Sequence, residues 1–370
     1  MKKHADTVVK YMFFCLLLAG AVGILCLPKE TYTKAERRKL AKFPKFTIES
    51  VLQENYMSDL ETYLLDHFPG REQLRRVKAL FAYDILQQKE NNDIYMVGNV
   101  AAKLEYPLNQ ASVEKAVEKM QKLQEMYFPE SRIGEGKVYY TIVPDKNYFL
   151  AEQNGYPSMD YDMLVNMIQE KLTDMSYIDI MDTLSIEDYY RTDTHWRQEQ
   201  IFDTAQKIAE QMGHDVLLQG QLQEISDFYG VYYGQSALPL PAEKLYYLEN
   251  ESTKNARVSS FEDKTMSSVY TTNKTDVDKY DVYLGGAQAL IHVENPEAKT
   301  DARLILFRDS FGSSLAPLLL EAYREVILID TRYIKPELLA DYVDFETNME
   351  NTQILFLYNT LLLNNSSMLR

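Results

Sequence analysis

Leu304-Ile305-Leu306-Phe307-Arg308-Asp309-Ser310-Phe311-Gly312 holds an uninterrupted apolar run, then two charged residues, then a serine, a phenylalanine and a glycine. Four apolar residues bounded by charge suit a strand buried on both faces and are too few for a helix. Helical spacing follows from Leu315 to Tyr323. The stretch therefore reads as strand, tight turn and helix, with Ser310 on the turn. The same alternation recurs on either side. Val138 to Val143 predicts a buried strand after a helical run at Val113 to Tyr127, and Tyr177 to Ile180 predicts a further strand. Trp196 to Met212 sets Ile201, Ala205, Ile208 and Met212 on one helical face, and Val326 to Ile329 and Ile354 to Leu357 are two more short apolar runs. Strands alternating with helices predict an α/β fold with a mostly parallel, doubly wound sheet. Between Gln219 and Ala298 the pattern changes to strands and loops rich in Tyr, Ser and Thr, which reads as a β-rich insertion near the mouth of the site.

Towards the N-terminus, the main domain is expected to begin at residue 92. Residues 29–91 are polar and helix-prone, with amphipathic runs at Ile48 to Phe68 and Arg71 to Gln88 separated by Pro69-Gly70, a strong turn signal. They read as a helical neck. Residues 1–28 contain Tyr11 to Leu27, seventeen residues without a charge, at the short limit for a bilayer-spanning helix. The residues before Pro28 lack the small-x-small pattern of a signal-peptidase site, so a retained single-pass anchor is expected ahead of a cleaved signal peptide. Opposing this orientation, Lys29, Lys34, Arg37, Arg38, Lys39, Lys42 and Lys45 put more positive charge after the segment than before it.

At 370 residues and 46% hydrophobic content, the chain is long enough for one large elaborated domain or two. Beyond residue 45 it holds 29 basic and 52 acidic residues, a formal −23, which argues against nucleic acid as a partner. Both cysteines, Cys15 and Cys26, lie in the apolar segment. No disulfide framework or cysteine-based metal site can therefore form beyond it.

An open parallel sheet leaves its ligand crevice at the carboxyl ends of its strands, and three such ends carry reactive residues. At the first, Ser310 sits where helix N-terminal N–H groups could stabilise an oxyanion; the alternative is a plain helix cap. At the second, Arg191-Thr192-Asp193-Thr194-His195-Trp196 places an acid two residues before a histidine. Asp193 could orient the imidazole and leave its other nitrogen to take a proton from a serine, or it could cap a helix. Of five histidines, His195 alone has this carboxylate company. At the third, Val143-Pro144-Asp145-Lys146-Asn147 could floor the crevice with Lys146 or Asn147 facing the substrate, or be an ordinary loop. Gly286, in Gly285-Gly286 after Val282 to Leu284, could offer a backbone N–H to the site or simply turn the chain, and Asn359 could donate a hydrogen bond near Ser310. No metal-ligand spacing involves the remaining histidines, and no cofactor fingerprint is present, so neither metal nor cofactor is expected.

DTHW at Asp193 to Trp196, DSF at Asp309 to Phe311, VPDK at Val143 to Lys146, ERRKLAKFP at Glu36 to Pro44 and DHFPGR at Asp66 to Arg71 together resemble the DHHW protein family. That family is similar in turn to the alginate O-acetyltransferases, with their SGNH-hydrolase-like fold. The resemblance implies such a fold in permuted order, with Ser310 as nucleophile, His195 as base and Asp193 as its orienting acid. Two positions depart from pattern: Thr194 stands where the family name has His, and Arg308 where an ordinary GDS motif has Gly. Arg308 could bind an acidic substrate group or pair with a carboxylate. Arg332-Tyr333 resembles an element of the relatives that could bind a carbonyl oxygen or sugar carboxylate, with a structural salt bridge as the alternative.

The resulting expectation is an extracytoplasmic serine acyltransferase or esterase of a cell-wall or secreted polysaccharide, held in the membrane through residues 11–27. A membrane-bound protein is expected to deliver the acyl group. The competing expectation is a non-catalytic glycan-binding or scaffold subunit of a polysaccharide export machine. The two differ in whether Ser310 and His195 meet.

Overall fold

The computed structural model describes residues 2–33, 35–53, 55–129, 134, 136–264, 266–272 and 278–370, with side chains from Thr7 onward. Lys34, one of the basic residues after the apolar segment, lies outside the described residues, as do residues 265 and 273–277 of the expected insertion. The chain forms two compact units: Met1–Asn92 with Tyr233–Leu240, and Asp93–Tyr232 with Pro241–Arg370.

In the first unit, α1 (Lys2–Cys26) is one continuous helix; its stretch Thr7–Cys26, with Lys10 as the one charged residue, is long and apolar enough to cross a bilayer. α2 (Asn55–Asp66) and α3 (Arg71–Leu80) form a helical hairpin whose turn carries Gly70 at φ +70°. The Asp66 carboxylate at the end of α2 accepts 2.9 and 2.5 Å hydrogen bonds from Arg38 and a 2.8 Å bond from the Ala41 N–H. The Arg38 guanidinium holds this carboxyl down at about 2.

The second unit is built on a seven-stranded sheet: β1 (Val138–Val143), β2 (Ser176–Tyr177), β3 (Arg257–Ser260), β4 (Leu290–Glu294), β5 (Arg303–Arg308), β6 (Glu325–Ile329) and β7 (Thr352–Asn359). Their spatial order is β3-β4-β6-β5-β7-β1-β2. β6, β5, β7, β1 and β2 run parallel, and β3 and β4 extend the sheet antiparallel. β5, in the middle, is buried along its whole length, which is why it reads as an unbroken apolar run. Ile305 and Phe307 point to the face covered by α4 (Gln110–Tyr127) and α5 (Tyr161–Lys171). Leu304 and Leu306 point to the face covered by α6 (Phe202–Gln211) and α7 (Phe311–Leu319).

Several elements differ from the sequence reading. β2 stops at Tyr177, because the Asp179 carboxylate accepts from the Met181 N–H and turns the chain. The helix expected from Trp196 begins at Phe202, since Trp196 is paired as an antiparallel bridge with Tyr189 and Gln198 is tied to the Ser314 carbonyl and the Leu248 N–H. α7 starts directly after Ser310, four residues before its apolar spacing becomes visible. The region 219–298 is more than an insertion at a mouth: it supplies β3 and β4 to the central sheet, besides a hairpin of Gln221–Phe228 with Glu243–Glu249.

Candidate active site

β5 ends at Arg308, and Asp309 fixes the geometry of the turn into α7. Its two carboxylate oxygens accept from the N–H groups of Phe311 (2.9 Å) and Asn359 (2.7 Å), joining the first turn of α7 to the end of β7. Ser310 is thereby held between strand and helix, half-buried, with φ −65° and ψ −20°.

Asp193 and His195 lie on a tight loop closed by the Tyr189–Trp196 bridge and a 3.1 Å bond from the Tyr190 N–H to the His195 carbonyl. Asp193 is fully buried. Its Oδ1 lies 2.6 Å from His195 Nδ1 and accepts from the His195 N–H at 3.1 Å, while Oδ2 accepts from the Val231 N–H at 2.7 Å. His195 Nε2 lies 2.7 Å from Ser310 Oγ. Acid, imidazole and hydroxyl thus form one unbroken hydrogen-bonded line, and the ring is oriented from both ends. Its face is also fixed: the Tyr280 ring stacks on it at 3.9 Å between centroids and 10° between planes. The Tyr280 hydroxyl is anchored in turn at Ser314 Oγ, 2.8 Å away, which also accepts from the Trp196 indole N–H at 2.8 Å.

The loop backbone is pinned by two opposite charges. Lys146 Nζ donates to the carbonyls of Tyr190 (2.7 Å), Arg191 (3.2 Å) and Asp193 (3.0 Å). The Glu243 carboxylate accepts from the N–H groups of Arg191 and Thr192, each at 2.7 Å. Gly230 closes the other side. A Cβ there would lie 2.3 Å from both Asp193 Cβ and the Thr192 carbonyl oxygen, so only glycine permits the approach that brings the Val231 N–H to Asp193.

A family model described as DHHW protein matches residues 36–95 and 161–329, more than half of the chain. This chain is a member of the DHHW protein family. No curated protein matches it in sequence. Among solved structures it is similar to a DHHW family protein from Eubacterium siraeum, at 18% identity and a TM-score of 0.60 over 75% of this chain and 94% of that one. It is also similar to Bacillus cereus PatB1, solved with a sulfonyl adduct, at 18% identity and a TM-score of 0.58 over 73% of this chain and 95% of that one. A more distant likeness, with 14% identity and a TM-score of 0.43, covers 73% of this chain and 92% of the O-acetyltransferase domain of Pseudomonas putida AlgJ. The shared architecture is the SGNH-like α/β fold that the motifs imply.

The remaining expected site residues of this DHHW protein lie elsewhere than on the line of Asp193, His195 and Ser310. Lys146 is buried behind the Asp193 loop with its ammonium on three backbone carbonyls, and burial pulls it down to about 7. Asn359 does not donate towards Ser310. Its side-chain N–H donates to the Val143 carbonyl and its Oδ1 accepts from the Leu361 N–H. Gly286 sits at φ +79° with its N–H on the Tyr283 carbonyl, so that N–H serves a turn. Arg332 grips Asp330 through Nε (2.9 Å) and Nη2 (2.6 Å), the salt-bridge alternative, and packs over the ring of the 45% exposed Tyr333. Arg308 is buried 3.7 Å from the same Asp330, with Nη1 donating to the Asp309 carbonyl. Asp145 contributes structure too: its carboxylate accepts from the Thr360 and Tyr161 hydroxyls and the Asn147 N–H, and burial raises it to about 6.

Sequence reasoning missed Tyr280, Glu243 and Gly230. Among 28 tyrosines nothing distinguishes Tyr280, and a carboxylate that binds backbone N–H groups leaves no spacing signal.

Proposed function

We propose that this DHHW protein is a serine acyltransferase or esterase acting on O-acetyl groups of a cell-wall or secreted polysaccharide, with α1 retained as an anchor and the second unit outside the cytoplasm. The observation that carries the reading is the line Asp193 Oδ1, His195, Ser310 Oγ, with contacts of 2.6 and 2.7 Å. His195 Nε2 takes the hydroxyl proton as Ser310 Oγ attacks the ester carbonyl carbon, and Asp193 stabilises the imidazolium that forms. The tetrahedral intermediate collapses by breaking the bond to the leaving alcohol, which receives the proton from His195. The acyl group on Ser310 then passes to a sugar hydroxyl or to water by the same steps in reverse.

The helix start offers fewer oxyanion donors than its position suggests. The N–H groups of Phe311, Gly312 and Ser313 are taken by Asp309 Oδ1 and the carbonyls of Asp309 and Ser310. The Ser310 N–H has no partner among the described residues, and we assign it as the backbone donor to the developing oxyanion. A scaffold subunit has no need of a histidine bonded to both an acid and a serine, so the geometry favours the enzyme. For the acetyl group, the glycan and a membrane protein that delivers the acyl group, the support is the resemblance of the family to alginate O-acetyltransferases.

The test is hydrolysis of an activated acetyl ester by the full chain in detergent. Ser310→Ala and His195→Ala, matched for folding, are expected to lower kcat by at least about 10³-fold. A sulfonyl fluoride should label the wild type and not Ser310→Ala. Activity unchanged in both variants would sink the assignment. Adding a soluble glycan then separates transfer, which consumes the acceptor, from hydrolysis.

A further inference from the structure

The motif Asp66-His67-Phe68-Pro69-Gly70-Arg71 has no part in the reacting line, and it forms the turn between α2 and α3. That turn rests on α1. A Cβ at Gly20 would lie 2.9 Å from Phe68 Cε2, and one at Gly23 would lie 2.3 Å from Pro69 Cγ. Two glycines three residues apart therefore leave a shallow notch on the apolar helix, and the Phe68-Pro69 step fills it.

The depth of the notch matters. The twenty residues Thr7–Cys26 make a helix of about 30 Å, the thickness of a hydrocarbon core. Gly20 lies six residues before Cys26, about 9 Å inside that end. What touches Gly20 is therefore below the headgroups when α1 spans the membrane.

The surroundings of the turn suit that depth. Leu64, Leu65 and Leu74, on the two helices that flank it, are exposed, Leu65 to 62%. The charges beside it are paired: Asp66 with Arg38, and Arg71 with Glu36 at 2.7 Å. His67 Nε2 contacts the Ala41 carbonyl at 2.9 Å. Pairing is what lowers the cost of ionisable groups near hydrocarbon. Just past the end of α1, Lys29 reaches back to the Ile24 carbonyl and lies 5.8 Å from the Tyr63 ring centroid, an arrangement suited to the headgroup level.

We propose that the His67–Gly70 turn is a second membrane element, inserted beside α1 among the acyl chains of the leaflet through which α1 emerges. The inference rests on α1 being a retained anchor. It explains why glycines occur where an apolar helix would ordinarily carry large side chains, and why this turn is apolar at its tip and ion-paired at its base.

The full chain is reconstituted in phosphatidylcholine vesicles with and without phospholipid brominated on its acyl chains. Trp196, fully buried and the one native tryptophan, sets the background. Bromolipid is expected to quench at least half of the emission added by Phe68→Trp. Leu65→Trp, at an exposed position that tolerates exchange, is expected to behave alike and replaces it should the first variant misfold. Added emission quenched no more than that of Trp196 overturns the proposal. Gly23→Leu keeps α1 apolar and inserted but displaces Pro69, and is expected to cut the quenching at least twofold; unchanged quenching overturns the docking. The mass of the chain recovered from membranes separates the two readings. A chain that begins after residue 26 removes the anchor, whereas an intact chain without quenching removes only the inserted turn.

Discussion

The Lys146 ammonium is out of water, and the three carbonyls it bonds belong to the loop that presents Asp193 and His195. Burial lowers its pKa to about 7, and the negative charges of Glu243 and Asp193 offset only part of that cost. Replacing it by Met keeps the volume and removes the donors. Lys146→Met is expected to lower kcat on an activated ester by about 10²-fold with little change in KM, because the loop that aims the imidazole loses its support. A rise in KM with kcat intact would instead place Lys146 against the substrate. The contrast with His195 shows what a sequence discloses at this scale. An acid two residues before a histidine is conspicuous when only one of five histidines has it. A lysine whose partners are carbonyl oxygens more than forty residues away looks like any charged residue after a strand. Asn359 escapes a sequence reading for the same reason, since the partner of its side-chain N–H, the Val143 carbonyl, is set by the fold; for Arg332 a salt bridge was legible as an alternative, but not that Asp330 would be its partner.

The segment Gly230-Val231 does for the acid what Tyr280 does for the base. The Val231 N–H fixes the second oxygen of Asp193, and the Gly230 N–H donates to the Thr192 hydroxyl at 2.9 Å. Gly230→Val would drive its side chain into the Thr192 carbonyl and Asp193. The expected results are a loss of about 2 kcal/mol, read from the urea midpoint, and activity reduced well beyond what the lost folded fraction explains. Activity in proportion to folded protein would show that the contact only stabilises. Strands and helices of the core were legible because a strand buried on both faces is apolar throughout and its covering helices are apolar on one side. The 219–298 region was not, because strands that extend a sheet antiparallel share their alternating pattern with a surface hairpin.

For the second unit as a whole, Asp145 couples pH to stability. Its carboxyl joins the end of β1 to Thr360 after β7 and to Tyr161 on α5. Burial raises it to about 6 in the folded protein, above the ordinary carboxylate value. The folded state then binds more protons than the unfolded one between about pH 4 and 6, so this group's contribution is complete below that window and lost as pH rises through it. The loss is about 3 kcal/mol. Urea titrations from pH 4 to 7 should show wild-type stability falling relative to Asp145→Asn across that window. Parallel curves would mean that Asp145 titrates as an ordinary carboxyl.

The sheet that carries these residues ends in strands of two and four residues, β2 and β3. Each offers few open backbone positions, too few to template a long strand from another chain. A seven-stranded sheet finished in this way resists edge-to-edge growth with the same sheet of a second copy.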